Sequence, residues 1–279
     1  MTNFLDEACA AARARTTAAA AVVSLGVLRR RVAGADPPPG LVAALAAPGV
    51  TVVAEVKRAS PSRGPIAPIP DPAALARSYA EGGAGAVSVL TEPHWFCGSL
   101  ADVEAVVGAV AIPVLRKDFV VEEYQVWEAR ASGASAVLLI VAALDDPQLQ
   151  GLLAAADRAG LDALVEVHDA GEATRAATAH AAAATGRRLV VGVNARDLTS
   201  LKVDPDRFAA VVDALPAGAL AVAESGVKGP DDVRRLGALG ADAVLVGEHV
   251  ACADDPAVAV RALATAGAQV ADASTGAPR

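Results

Sequence analysis

After residue 50, eight short apolar runs alternate with helix-forming windows at near-regular intervals, and no other feature restricts the fold of this chain as much. The runs are Thr51 to Lys57, Ala86 to Leu90, Ile112 to Arg116, Ala136 to Ile140, Ala163 to Val167, Leu189 to Val193, Leu220 to Ala223 and Ala243 to Val246. They are continuously apolar rather than alternating, as parallel strands covered on both faces should be. Between them the pattern predicts helices over Pro72 to Glu81, Leu100 to Ala109, Glu122 to Ser132, Gln148 to Ala159, Ala170 to Ala184, Pro205 to Leu215, Pro230 to Leu239 and Pro256 to Ala264. Eight strands, each followed by a helix, make the count of a closed α/β barrel, whose usual size is about 250 residues. A faint internal repeat agrees: Gly83-Ala84-Gly85-Ala86, Gly133-Ala134-Ser135-Ala136 and Gly240-Ala241-Asp242-Ala243 each end a helix and enter a strand. Glycine there suits the left-handed residue that stops a helix.

Ahead of the first run, one amphipathic helix is predicted over roughly Asn3 to Val32, ending near Gly34. Pro37-Pro38-Pro39-Gly40 then stiffens the chain before a short helix, Leu41 to Ala46. The apolar stretch Ala18 to Leu28 is not read as a signal peptide or a membrane span. Asp6 and Glu7 precede it, Arg29-Arg30-Arg31 follow it, and it is too short to cross a bilayer. The division expected is therefore a helical extension over 1–49, a catalytic barrel over 50–265, and a disordered tail over 266–279, rich in Ala, Ser, Gly and Thr.

Composition narrows the function classes. With 54% apolar and only 3% aromatic residues, the core should be aliphatic, built from Ala, Val and Leu. A net charge of -8 without a long basic stretch argues against a nucleic-acid surface, and the Arg29 to Arg31 cluster reads as a solvated helix end. Cys9, Cys97 and Cys252 lie far apart, with no C-x-x-C and only four scattered histidines. They form neither a disulfide framework nor a metal site, so reduced thiols in a cytoplasmic protein are expected, with no metal ligands.

Several apolar runs end in residues that a buried strand should not tolerate. The first runs into Glu55 and Lys57, the third into Arg116 and Lys117, the fifth into Glu166, the sixth into Asn194 and the seventh into Glu224. Charge placed repeatedly at the carboxyl ends of buried strands is costly unless the groups meet and pair, which points to one polar site there. Side chains alternate along a strand, so Glu55 and Lys57 point to the same side. The loop Arg58 to Pro65 follows with hydroxyls, cations and restricted backbone, a composition able to accept an anion.

Ala54-Glu55-Val56-Lys57-Arg58-Ala59-Ser60-Pro61-Ser62-Arg63-Gly64 resembles the signature of the indole-3-glycerol-phosphate synthase family. Further matches follow in order: Ser88 to Glu92 with Phe96 and Gly98-Ser99-Leu100, then Leu115 to Val120, Leu164 to His168, Gly192 to Leu198, Ala223 to Val227 and Val246 to Glu248. The resemblance implies a single (β/α)8 TIM barrel with an N-terminal helical extension. It implies a carboxy-lyase of tryptophan biosynthesis that closes, decarboxylates and dehydrates carboxyphenylamino-deoxyribulose phosphate.

Carried over by that resemblance, Lys117 is the general acid at the substrate carbonyl and Glu166 assists proton transfer, while Lys57 contacts the substrate carboxylate and also assists as a proton donor. Glu55, Asn194 and Glu224 orient these groups, and Arg196 positions the reacting centre. Ser60, Ser225, Gly226 and Gly247 are expected around the phosphate, joined by Glu248 through its backbone amide alone because its charge would repel the anion. Phe96, Phe119, Pro61 and Leu198 are expected to form the slot for the aromatic ring, core packing being the alternative for the two phenylalanines. No cofactor is implied. The partner expected is a small phosphorylated aromatic substrate, without nucleic acid or membrane, in a monomer or weak homo-oligomer open to contact with other enzymes of tryptophan biosynthesis.

Cys97, the segment His249-Val250-Ala251 and a lengthened connection over Ala179 to Gly186 depart from the family pattern. Two other readings of the residues stay open. One is a Schiff-base reaction at Lys117 or Lys57, and the other a phospho-ligand-binding barrel without catalysis.

Overall fold

The computed structural model describes residues 4–198 and 200–275. Eight strands, β1 (Thr51–Val56), β2 (Ala86–Leu90), β3 (Val114–Lys117), β4 (Ala136–Ile140), β5 (Asp162–Val167), β6 (Val190–Asn194), β7 (Leu220–Glu224) and β8 (Ala243–Val246), close into a barrel. All pairs are parallel, and β1 lies between β2 and β8 with Val53 opposite Ala86 and Thr51 opposite Ala243. The (β/α)8 fold expected from the count of apolar runs is thus the fold observed. The strands are apolar throughout because one face fills the barrel and the other meets the helices; every residue of β2, β4, β6, β7 and β8 is buried.

After α1 (Phe4–Val22), α2 (Leu25–Ala33) and α3 (Leu41–Leu45) of the extension, the helices around the barrel are set by local signals. Asp71 accepts from the Ala74 amide at the start of α4 (Pro72–Glu81), and Ser99 and Asp102 form a reciprocal capping box on α5 (Leu100–Val107). α6 (Glu123–Ala131) follows β3, α7 (Asp146–Ala159) opens with a capping box of Asp145 and Gln148, and Asp169 caps α8 (Ala170–Ala183). The three helix-ending glycines, Gly83, Gly133 and Gly240, have φ of 94°, 85° and 96°, the left-handed conformation expected of them. α9 (Arg207–Val212) and α10 (Pro230–Ala238) complete the ring.

The structure departs from the expectation in four places. The extension is two helices, Phe4–Val22 and Leu25–Ala33, rather than one, and Asn3 lies outside the described residues. A two-residue ribbon pairs Ala59–Ser60 with Gly64–Pro65 in the loop after β1, and a one-turn helix, Glu248–Ala251, follows β8. The window Ala170 to Ala184 is helical to Ala183 as expected, so most of the lengthened stretch Ala179 to Gly186 belongs to that helix. Last, of the tail expected to be disordered over 266–279, residues 266–275 belong to the final helix, Pro256–Thr275, whose Gly267 carbonyl accepts from the Val50 amide at 3.1 Å, while 276–279 lie outside the described residues. An alanine-rich, proline-free stretch carries enough helix propensity to continue once Ala266 is packed against the core. Among the described residues, no helix is long and apolar enough to cross a membrane.

Candidate active site

The carboxyl ends of the strands open into one cavity of about 730 Å³, and all sixteen residues singled out from the sequence line it. Glu55, Lys57, Lys117, Glu166, Asn194 and Glu224 lie around its polar wall. Ser60 and Pro61 reach it from the first loop, Phe96 from the second, Phe119 from the third, Arg196 and Leu198 from the sixth, Ser225 and Gly226 from the seventh, and Gly247 and Glu248 from the eighth.

Lys117 is the centre of the charge arrangement. Its Nζ stands 3.3 Å from Glu166 Oε2 and 3.4 Å from Glu224 Oε2, and both carboxylates are almost fully buried. Burial works against the ammonium, but Glu166, Glu224 and Glu55 together outweigh it and push the Lys117 pKa above its ordinary value. The two acids diverge. Burial raises Glu166, yet Lys117 and His168 overcome it and hold that carboxyl below the usual range. Burial also raises Glu224, and with Glu166 and Glu55 opposing its ionisation its pKa goes up to about 8 despite Lys117. One ammonium cannot neutralise two buried carboxylates, so one of them is favoured as the anion and the other as the acid.

A second pair stands beside the first. Lys57 Nζ is 3.7 Å from Glu55 Oε1, whose other oxygen accepts from the Ser88 hydroxyl at 3.2 Å. Burial pulls Lys57 below its ordinary pKa, with Glu55 opposing and Lys117 and Arg196 adding to the fall. Its Nζ also lies 5.9 Å from the centre of the Phe96 ring, within cation–π range. Two glycines make room for these carboxylates: a Cβ on Gly192 would land on Glu224 Oε1, and one on Gly247 would stand 2.7 Å from Glu55 Oε1.

The sixth and seventh loops are joined through Asn194, whose Oδ1 accepts from the Arg196 amide at 2.9 Å and from the Ser225 hydroxyl at 2.8 Å. Ser225 adopts a φ of 67°, rare for a side-chain-bearing residue, which turns the hydroxyl to Asn194. Arg196 donates to the Leu201 carbonyl at 2.7 Å and to Ser62 at 3.2 Å, so the first and sixth loops meet across the mouth. The Glu248 carboxylate is paired with Arg63. That pairing leaves its charge compensated at the edge of the expected phosphate region.

Sequence reasoning misplaces one residue and misses several. Arg116 shares the pattern of the polar strand ends, yet it points away from the mouth: it donates to the Gln125 carbonyl at 3.0 Å and to Glu128 at 2.9 Å on α6. Alternation along β3 is the reason, because Arg116 and Lys117 are adjacent and must face opposite sides. Phe4 lines the cavity and stacks edge-on against Trp95 and Phe119, with centroids 5.3 and 5.9 Å away. Arg15 reaches from the same helix to Asp118 at 2.9 Å and Glu92 at 3.3 Å. Glu92, fully buried, accepts from the amides of His94, Trp95 and Phe96 and so shapes the loop that carries Phe96. Glu92 obeys the same rule as the other strand ends and was legible in principle; no local signal marks Phe4 or Arg15.

A closed parallel barrel that gathers a lysine and two buried carboxylates in a cavity at the carboxyl ends of its strands has the architecture of a (β/α)8 enzyme. The family model described as indole-3-glycerol phosphate synthase matches residues 5–263, and the chain belongs to that family. Indole-3-glycerol phosphate synthases of Mycobacterium sp. (strain KMS) and Mycolicibacterium smegmatis are each 52% identical to it over 265 residues, 95% of either chain. That of Parafrankia sp. (strain EAN1pec) is 53% identical over 95% of this chain and 96% of its own. Among solved structures, the 3-hexulose-6-phosphate synthase of Salmonella typhimurium superposes with a TM-score of 0.60 at 17% identity, over 79% of this chain and all of that one. The thiamine phosphate pyrophosphorylase of Pyrococcus furiosus gives 0.58 at 17% identity, over 79% and 96%. Those two likenesses concern the barrel alone.

Proposed function

We propose that this chain closes the indole ring of 1-(2-carboxyphenylamino)-1-deoxyribulose 5-phosphate, losing carbon dioxide and water to give indole-3-glycerol phosphate, as a carboxy-lyase of tryptophan biosynthesis. The observation that carries the assignment of roles is the Lys117 ammonium set between two buried carboxylates at the mouth of the barrel.

When the aromatic carbon attacks the ketone, negative charge grows on the carbonyl oxygen. Lys117 is the donor for it: its proton is always present, and the forming alkoxide is a far stronger base than either carboxylate partner. Lys57 meets the substrate carboxylate, which leaves as carbon dioxide while the ring regains aromaticity. Glu166 then handles the proton needed for the hydroxyl to depart as water. Glu55 and Glu224 hold the two lysines, Asn194 aligns the sixth and seventh loops, and Arg196 closes over the reacting centre. Phe96, Phe119, Pro61 and Leu198 are assigned to the ring and Ser60, Ser225, Gly226, Gly247 and the Glu248 amide to the phosphate, a reading supported by their all lining the same cavity. A Schiff-base reaction at Lys117 is disfavoured, since it requires a neutral amine and the surrounding carboxylates keep this one charged.

The test is to incubate the purified chain with this substrate and follow the rise of indole fluorescence. Lys117→Ala should keep the fold and lower turnover by about two orders of magnitude or more. A parent that forms no indole product would sink the activity; a Lys117→Ala variant within about tenfold of the parent would sink the role of Lys117 as principal acid.

A further inference from the structure

The proposed reaction consumes a proton. The substrate carboxylate departs as carbon dioxide and its hydroxyl as water, so each turnover removes one proton from the enzyme. Of the groups nearest the chemistry, the carboxylates of Glu166 and Glu224 are almost fully buried, and a proton that either gives up must be resupplied through a neighbouring group.

His168 stands where such a supply is needed. It follows Glu166 by two residues and faces the same side as β5 ends. Its Nε2 lies 3.5 Å from Glu166 Oε1. Both atoms are buried, and neither has a hydrogen-bond partner of normal geometry among the described residues. On the other edge of the ring, Nδ1 is 3.0 Å from Glu172 Oε2, and that oxygen also accepts from the His168 amide at 2.8 Å. Glu172 sits in the first turn of α8, its own amide bonded to Asp169. The charged groups facing the ring are therefore Glu166 from β5, Glu172 from α8 and, opposing them, Arg207 from α9. A neutral imidazole would turn a lone pair toward one of two carboxylates, whereas an imidazolium presents an N–H to each. Burial lowers the His168 pKa, but the two glutamates overcome burial and Arg207 and raise it.

We propose that His168 is the proton store of this site. As imidazolium it passes the Nε2 proton to Glu166 Oε1, Glu166 passes one to the departing hydroxyl, and the neutral ring regains a proton from solvent once product has left. Lys117, which gave its proton to the carbonyl oxygen, recovers one from the carbon beside the nitrogen as the indole double bond forms, so each turnover takes one proton from solvent, releases one carbon dioxide and one water, and balances. His168 touches no reacting atom and acts through Glu166, which makes it a positioning and proton-supplying residue rather than a catalytic one. The inference rests on the reaction proposed above.

The experiment uses His168→Gln, which keeps a hydrogen-bond donor without the titrating ring, and Glu172→Gln, which leaves the ring but removes its outer carboxylate. In rapid-quench measurements with the substrate named above, His168→Gln should form indole product about tenfold or more slowly from the first turnover onward, while carbon dioxide is released near the parental rate. The deficit should widen as pH rises, and added imidazole should restore part of it. Glu172→Gln should keep turnover at low pH and lose it at a lower pH than the parent. A His168→Gln enzyme in which carbon dioxide release and indole formation fall equally, with no response to imidazole, would overturn the proposal in favour of a structural role. Steady-state turnover within about twofold of the parent would overturn it too. A parent that forms no indole product strikes at the reaction itself, and this proposal falls with it; the two failures are therefore distinguishable.

Discussion

Around Lys117 the site holds more carboxylate than cation, and the consequences are measurable one residue at a time. Glu166, held below its ordinary pKa, is the ionised member, so Glu166→Gln should remove a proton carrier while keeping shape and hydrogen bonding. In one single-turnover experiment that follows both products, carbon dioxide should then appear faster than indole, with overall turnover down by about two orders of magnitude. Equal and near-parental rates for both products would show a structural carboxylate. Glu224 gives a pH signature instead. Its folded pKa of about 8 lies above that of an unfolded glutamate, so the native state binds this proton more tightly, and the associated stability is lost as pH climbs through that value. Glu224→Gln abolishes the titration; scanning calorimetry should find the variant gaining on the parent in Tm between pH 6 and 9, and parallel curves would contradict the raised pKa. Residues such as Glu55, Glu166 and Glu224 were legible because a carboxylate at the end of a buried apolar run is too costly to keep unless a cation meets it there. Arg116 obeyed the same pattern but faces α6, and only the pleat of β3 separates it from Lys117.

At the scale of elements, the helix Phe4–Val22 is part of the site rather than an appendage. Arg15 bonds to Asp118, next to Lys117, and to Glu92, which orders the Phe96 loop; Phe4 packs on Phe119. Asp118 and Glu92 are buried; deleting the guanidinium leaves Glu92 without its cation and Asp118 with Arg116 alone, and loosens the loops that carry Phe96 and Phe119. Arg15→Gln should lower kcat/KM by about tenfold to a hundredfold, since displacement of about 1 Å at such groups is costly. Steady-state kinetics with unchanged kcat/KM would detach the helix from function. The sequence could not disclose this pairing: Arg13 and Arg15 look alike there, and the contacts join residues about a hundred positions apart. The break between the first two helices was equally silent, because Val23 and Ser24 carry neither proline nor glycine. By contrast β1 to β8 were legible to within about two residues, continuous apolar runs having one burial pattern compatible with a parallel barrel.

For the whole molecule, one end of the barrel carries the chemistry and the other carries the closure. At the amino ends of the strands, Asp162 accepts from the Val42 amide at 3.0 Å and pairs with Arg187 at 2.7 Å, and Gly267 of the last helix lies against the backbone of Val50. A Cβ at Gly267 would occupy the place of the Val50 carbonyl oxygen. Gly267→Ala should therefore cost about 1–3 kcal/mol and lower Tm, while the rate per folded molecule stays parental. A changed kcat with an unchanged Tm would reverse that assignment. The register of β1 has a further implication, in time rather than space. Thr51 pairs with Ala243, so one edge of β1 has no partner until nearly the whole barrel has been synthesised. At about 5–20 residues per second, that apolar edge waits on the order of ten to forty seconds on the ribosome. Throughout that interval the nascent chain presents an open template for pairing with its neighbours, and its yield in a cell is set by whatever shields that edge before β8 arrives.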